Sequence, residues 1–431
     1  MQAHADANVE GADSRHLMRG ANSLIVNSGA TALLGIAFWA IAARTFSADQ
    51  IGRDGALLAA LVELSTVCQL NLDNALPRFL PALRENVRRV LAGAFAISGL
   101  AALVLGTVFV MLAPAVSDEF GFLRSGLIAP GFVLALIIWG WFTLQDSALV
   151  GLRRAPWVPA ENISFGVLKI AALPVLAATT LTNGVFLAWV IPVLPLLIPI
   201  SFILFTRLAT AHSQLPAVEF STVRQMKRRE LIFFHTQDYF ASVLARATTT
   251  FLPLLVVGIL GSVQNAYFFI PFTMIIAFDL LSYGVATSLV VEGAFDESQT
   301  RQLARTVVRR FAAPLIAALF GLIVLAHVAL LPFGSDYAAA GDSVLRILAC
   351  ASVFRVIIML FVALERVAGR GRRILIVETS IMLLLIPTSA ILASPLGING
   401  IALGWTIANA VVAIALLPSV MTLLSPKGPT E

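Results

Sequence analysis

Lys169, Arg246, Arg346 and Arg355 stand inside stretches of chain that are otherwise almost free of charge, and so do Glu63, Asp146, Asp279 and Glu378. An ionised side chain at the centre of a bilayer costs at least about 2.5–3.5 kcal/mol, so such groups normally face a partner or a water-filled path. The residue types narrow the chemistry. Arginine presents a planar fork that donates two parallel hydrogen bonds and suits phosphate oxygens. A buried carboxylate can instead hold and release a proton or a small cation. Two roles are therefore open: structural pairing, for instance Arg246 with Asp279 on adjacent helices, or contact with a charged substrate and a coupling ion.

The elements that must carry these residues are membrane helices. Hydrophobic residues make up 59% of the 431 and charged residues only 12%, with a mean hydropathy of +0.91. A soluble domain of this length would need a far more charged surface. Runs such as 90–117, 127–144, 170–206 and 374–418 hold at most one charge each. At about 1.5 Å per residue each is on the scale of a hydrocarbon core of about 30 Å, long enough for a spanning helix. Twelve spans are expected, at 21–44, 52–72, 89–112, 125–150, 156–179, 184–206, 231–258, 264–290, 308–332, 342–364, 374–393 and 398–422. Asp6, Glu10 and Asp13 ahead of the first argue against a cleaved secretory leader.

The distribution of Lys and Arg sets the orientation. With the N-terminus in the cytoplasm, 22 fall in cytoplasmic segments and three (Arg44, Arg53, Arg124) in outer loops. That asymmetry predicts a multi-pass protein of the plasma membrane with both termini cytoplasmic. The basic clusters MKRRE (226–230) and RVAGRGRR (366–373) read as inner-face anchors, not as a nucleic-acid surface. Cys68 and Cys350 both fall in expected helices and give no disulfide.

The chain also repeats itself. NGVFLAWVI at 183–191 and NGIALGWTI at 399–407 agree at five of nine positions, 216 residues apart. Asp146 precedes Arg153 and Arg154 as Glu365 precedes Arg372 and Arg373, a shift of 219. An even number of helices per copy gives a parallel repeat. The expectation is an all-α membrane protein of twelve transmembrane helices in two parallel-repeat six-helix bundles around a central cavity. The N-lobe would take 21–207 after a cytoplasmic segment 1–20. A cytoplasmic linker at 208–230, a C-lobe at 231–424 and a tail at 425–431 complete the chain. The shared Asn-Gly reads as a tight turn between helices, and the Trp after it as part of an interfacial belt.

The stretch FWAIAARTFSADQIGRDGALLAALVELSTVCQLNLDNALPRFLPAL (38–83) resembles the opening of polysaccharide flippases of the O-antigen type. They belong to the multidrug/oligosaccharidyl-lipid/polysaccharide exporter superfamily. Ala43-Arg44, Gly52 and Leu76-Pro77-Arg78-Phe79 fit the pattern, and SPLGINGIALGWTIANAVVAI (394–414) resembles the family's last helix. Lipid II flippases of the same superfamily usually carry two helices more. The resemblance implies a secondary transporter flipping a polyprenyl-pyrophosphate-linked oligosaccharide, or a related cell-envelope glycolipid precursor, by alternating access. Arg246, Arg355, Lys169 and Arg346 are the candidates for substrate binding. Glu63 and Asp279, then Asp238, are the candidates for coupling to H⁺ or Na⁺. Asn22, Asn27, His235, Gln237 and Asp238 either line an inner vestibule or bond between helices.

Other classes fit less well. The sequence has no GxxxxGK[ST], HExxH or GxSxG, and its five histidines show no ligand spacing, so neither catalytic residues nor a metal or other cofactor is expected. The outer loops are too short for a catalytic domain; Asp49 and Asp54 are the sole acids in the first. A multidrug or cation extruder on the same fold is the first alternative, which an acidic cavity would favour over a cationic one. A membrane glycosyltransferase is the second, and a scaffold for envelope-assembly proteins the third.

Overall fold

The computed structural model describes residues 31–83, 85–124, 126–179, 181–213, 228–295 and 313–424. Every regular element among them is helical. Backbone N–H and C=O groups find no water in a bilayer, and a helix satisfies them within its own segment. In order these are α1 (Thr31–Thr45), α2 (Ala48–Cys68), α3 (Leu72–Phe79), α4 (Val87–Val116), α5 (Ile128–Gly151), α6 (Trp157–Ala177), α7 (Gly184–Val190), α8 (Leu194–Ile203) and α9 (Ala209–Ser213). Then come α10 (Arg228–Leu260), α11 (Ser262–Phe295), α12 (Ala313–Val324), α13 (Ala326–Leu330), α14 (Ser335–Val367), α15 (Gly371–Leu396) and α16 (Ile398–Leu424).

Eight helical segments among the described residues are long and apolar enough to cross a membrane. They are α4, α5, α6, the continuous run Gly184–His212, α10 from Tyr239, α14, α15 and α16. The expected first span is described only from Thr31 onward. Helix α2 carries Asp49, Arg53, Asp54 and Glu63, which sets it apart from a plainly apolar span.

Two expected spans differ in detail. The run beginning at Gly184 contains Pro192, Pro195 and Pro199, each of which removes one N–H from the ladder. It answers with a 3₁₀ turn at Ile191–Val193 and a π turn at Leu204–Leu208. The segment expected as one span at 308–332 is bent by 79° between Ala313–Val324 and Ala326–Phe333. Hydrogen bonds from Leu325 N to Gly321 O and from Ala329 N to Leu325 O, both 2.8 Å, carry the ladder through the bend. Residues 308–312 lie outside the described residues.

The chain divides into two compact units. The first takes Met1–Phe46, Leu64–Ala115 and Gly121–Thr222, and the second takes Ser47–Glu63, Val116–Phe120 and Val223–Glu431. Much of α2, placed by the sequence reading in the N-lobe, therefore groups with the C-terminal half. The reason is local. A Cβ on Gly52 would lie 1.7 Å from Ser262 O, so only glycine lets α2 lie directly on α11. Asn265 Nδ2 donates to Gly52 O at 2.7 Å, and Ser262 Oγ donates to Asp49 Oδ1. Asp49 also pairs with Arg53 at 3.3 Å, and buried Asp54 stands 3.8 Å from the same guanidinium. The two outer acids thus have structural work at this crossing.

Within the first unit, Leu76 of α3 and Leu80 just after it pack with residues of α5, alongside Leu91 and Phe95 of α4 and Leu204. Within the second, Ile358 and Phe361 of α14, Val377 and Ile381 of α15 and Val412 of α16 form a core.

Candidate functional site

The second unit holds a paired arginine. Arg355 on α14 donates from Nε to Asp279 Oδ2 of α11 at 2.6 Å. Its guanidinium also lies 4.7 Å from the ring centre of Trp405 on α16. Glu378 on α15, largely buried, lies within electrostatic reach of Arg355 and Arg366. Four helices thus converge on one cation. The partner that the sequence reading offered as an example, Arg246 for Asp279, is not the one found.

Arg246 instead faces Glu63. Thr250 Oγ1, one turn further along α10, donates to Glu63 Oε2 at 3.3 Å, and the Arg246 charge acts on the same carboxylate. Glu63 Oε1 is buried and has no hydrogen bond among the described residues. Among the described residues Arg246 makes no ion pair at contact distance, and it is exposed. It lies seven residues, or about 10 Å, inside the apolar part of α10 that begins at Tyr239. An unpaired guanidinium at that depth is costly against lipid.

Arg346, on the same helix as Arg355, has a partner of its own. Arg346 pairs with Asp342 one turn away at 3.0 Å, with 47% of its side chain exposed. It is about 13 Å along α14 from Arg355. The side chains of Asp238 and His235, and residues Asn22 and Asn27, lie outside the described residues.

Lys169 belongs to the first unit. Its ammonium lies 3.5 Å from the ring centre of Trp189, 5.0 Å from that of Phe165 and 5.1 Å from that of Phe38. Only 3% of the residue is exposed. The repeated phrase thus places each of its tryptophans against a cation, Trp189 by Lys169 and Trp405 by Arg355. The sequence reading gave both to an interfacial belt; the packing adds a cation as the neighbour of each ring. Trp405 is 1% exposed, and among the described residues neither indole N–H has a hydrogen-bond partner. They serve as ring faces.

The Asn-Gly reading is corrected. Neither Gly184 nor Gly400 has a positive φ; the turn before α16 is made by Gly397 at φ 57. A Cβ on Gly400 would meet Leu392 O at 1.9 Å, and one on Gly184 would meet the Phe46 ring at 2.5 Å. Both glycines permit close packing.

One polar group escaped the sequence reading. Glu161 on α6 is buried and accepts from Gln145 Nε2 at 2.6 Å, while Ser201 Oγ donates to Gln145 Oε1 at 2.6 Å. Asn162 Nδ2 donates to Asp146 Oδ2 at 3.0 Å. A signal was present: Gln145-Asp146 and Glu161-Asn162 are equidistant from Arg153-Arg154, so an antiparallel helix pair brings them together. Glu365, the acid that the sequence spacing matches to Asp146, behaves differently. Glu365 takes Arg373 at 3.0 Å and Arg370 at 3.7 Å, closing the α14–α15 connection. Among the described residues no group of three or more His, Cys, Asp or Glu could hold a metal ion.

No protein family and no curated protein matches the chain in sequence. Solved structures do match in fold. An inward-facing multidrug resistance transporter of the MATE family, within the MOP superfamily, aligns with a TM-score of 0.66 at 15% identity, over 91% of this chain and 94% of that one. The lipid II flippase MurJ, in an inward closed conformation, aligns at 0.62 and 16% identity, over 94% and 87%. A MOP-superfamily transporter from Pyrococcus furiosus, described as having a binding pocket of reverse polarity, aligns at 0.54 and 15%, over 94% and 95%. At such identities the likeness is one of fold. The chain shares the all-helical fold of these solved structures.

Proposed function

We propose that the chain is a secondary transporter that flips a polyprenyl-pyrophosphate-linked oligosaccharide, or a related cell-envelope glycolipid precursor, across the plasma membrane. The observation that carries this reading is Arg246. It is an exposed guanidinium inside an apolar helix, with no ion pair among the described residues. A pyrophosphate head group is a ligand whose paired oxygens match that fork. Arg355, already held by Asp279 and backed by Trp405, would complete the phosphate contacts when the cargo competes for its remaining N–H groups. Glu63, hydrogen-bonded to Thr250 and facing Arg246, is the candidate for ion coupling, because neutralising it changes the field at the cargo's arginine.

A charge-assisted hydrogen bond contributes roughly 1.5–3 kcal/mol, so Arg246→Ala should weaken binding of a lipid-pyrophosphate saccharide by about ten- to a hundredfold. Arg246→Lys keeps the charge without the fork and should fall between. Binding to purified protein is measured beside binding of a lipophilic cation. Undiminished lipid-pyrophosphate binding by Arg246→Ala, or a preference of the native chain for the cation, sinks the reading in favour of a cation extruder. The buried acids Glu63, Glu161 and Glu378, with half-buried Asp146, are what speaks for that rival.

Orientation is tested separately. Introduced cysteines at 116–120 and 335–340 should react with an impermeant reagent from outside, and those at 84–89, 224–229 and 366–373 from inside only. Outside labelling at residue 228 would overturn both the orientation and the parallel repeat.

A further inference from the structure

We propose that Lys169 is the tethered occupant of an aromatic cation site, and that by filling it the first unit refuses free organic cations. The proposal deepens the anionic-cargo reading, on which its functional sense rests. The three rings come from three places in the chain: Phe38 on α1, Phe165 one turn before Lys169 on α6, and Trp189 on α7. Each has its centre within 5.1 Å of Nζ. A second layer braces them, with Trp139 at 5.5 Å from Phe165 and 5.8 Å from Trp189, and Trp39 at 5.2 Å from Phe38.

The electrostatics explain why the ammonium is there. Lysine normally snorkels its charge to water, but this one is 3% exposed. Among the described residues no carboxylate pairs with it, in contrast to Arg355, which has both a ring and Asp279. Ring faces are therefore what meets the charge of Lys169. A box of aromatic faces around a cation is the chemistry by which proteins recognise alkylammonium groups. A free ammonium would find that box attractive and already taken. Its competitor is covalently attached, at an effective concentration that a dissolved ligand does not reach. Trp189 is only half-buried, which makes it the ring past which a small ligand would enter.

The test empties the box. Lys169→Ala removes the three methylenes and the ammonium, a volume and charge that n-propylammonium replaces. Purified full-length Lys169→Ala is expected to bind n-propylammonium saturably, read as tryptophan fluorescence quenching, at least tenfold more tightly than the native chain. Isosteric 1-propanol should not bind. Adding Trp189→Leu should weaken the amine at least tenfold. Equal binding by native chain and variant, no binding by the folded variant, or indifference to Trp189→Leu would each overturn the proposal. Should Lys169→Ala fold poorly, the yield of monodisperse protein prepared with the amine, with the alcohol or with neither becomes the readout. Recovery by the amine alone supports the tethered occupant, and no recovery overturns it. The lipid-pyrophosphate assay on Arg246 variants is independent. A cage that binds the amine, in a chain whose Arg246 variants bind lipid-pyrophosphate normally, leaves the cage standing and removes the cargo reading.

Discussion

Replacing Arg355 with alanine is expected to destabilise the folded chain by about 3–5 kcal/mol, the usual consequence of leaving a buried charge without its partner. Asp279, 5% exposed on its side chain, would keep its carboxylate in an apolar helix bundle with nothing opposite it. One of its oxygens already lacks a hydrogen bond. Truncation also takes the guanidinium off the face of Trp405, a further loss of packing and of ring–cation attraction. Arg355→Lys keeps the charge but gives up the fork and the flat stacking surface, so it should recover part of the stability. The decisive comparison is the double variant Arg355→Ala/Asp279→Ala, which removes both charges and should be more stable than Arg355→Ala alone. Reversible unfolding in mixed micelles measures these three variants, the single variant Asp279→Ala and the native chain. A double variant that loses as much as the two single losses added together would show that the pair is not coupled. Asp279 would then lose its assigned role as the arginine's anchor.

What the sequence discloses here divides along a physical line. The apolar runs, the 22-to-3 bias of basic residues and the intramembrane charges are properties of single segments, and they are readable from composition and period. Partners are properties of helix–helix register, which a single segment does not encode. Asp279 thus meets Arg355, 76 residues away, while Arg246 on the neighbouring helix acts only electrostatically on Glu63, 183 residues back in the chain. The tryptophans show the same limit. A Trp near the start of an apolar run is compatible with an interfacial belt, and only the packed fold reveals Lys169 and Arg355 against those rings. Glu161 was legible in principle, because its spacing from Asp146 about a two-residue turn is a hairpin relation. The bend at Leu325 was not: no proline or glycine occupies the break itself.

Substituting Gly400 with alanine is expected to cost about 3 kcal/mol or more, at or beyond the upper end of ordinary overpacking. The added Cβ would stand 1.9 Å from Leu392 O and 2.4 Å from its carbonyl carbon. Those are backbone atoms of α15, which cannot turn aside as the end of a flexible side chain can. Four residues on, a Cβ at Gly404 would meet Ser389 Oγ at 2.4 Å and Ser389 N at 2.6 Å. The two glycines form a GxxxG stripe, and in a membrane such stripes let helix backbones approach where no hydrophobic drive separates protein from lipid. Relief therefore requires α16 to move off α15, and α16 carries Trp405, the ring beneath Arg355. Gly400→Ala should accordingly weaken lipid-pyrophosphate binding as well as stability, although residue 400 has no charge to offer a ligand. Gly93 on α4 supplies the control, since nothing lies within 4 Å of its added Cβ. Gly93→Ala should be neutral or stabilise by up to about 1 kcal/mol through helix propensity. Thermal unfolding of the two variants in one detergent separates the explanations. Similar small changes at both positions would mean that Gly400 is retained for something other than the approach of α16 to α15.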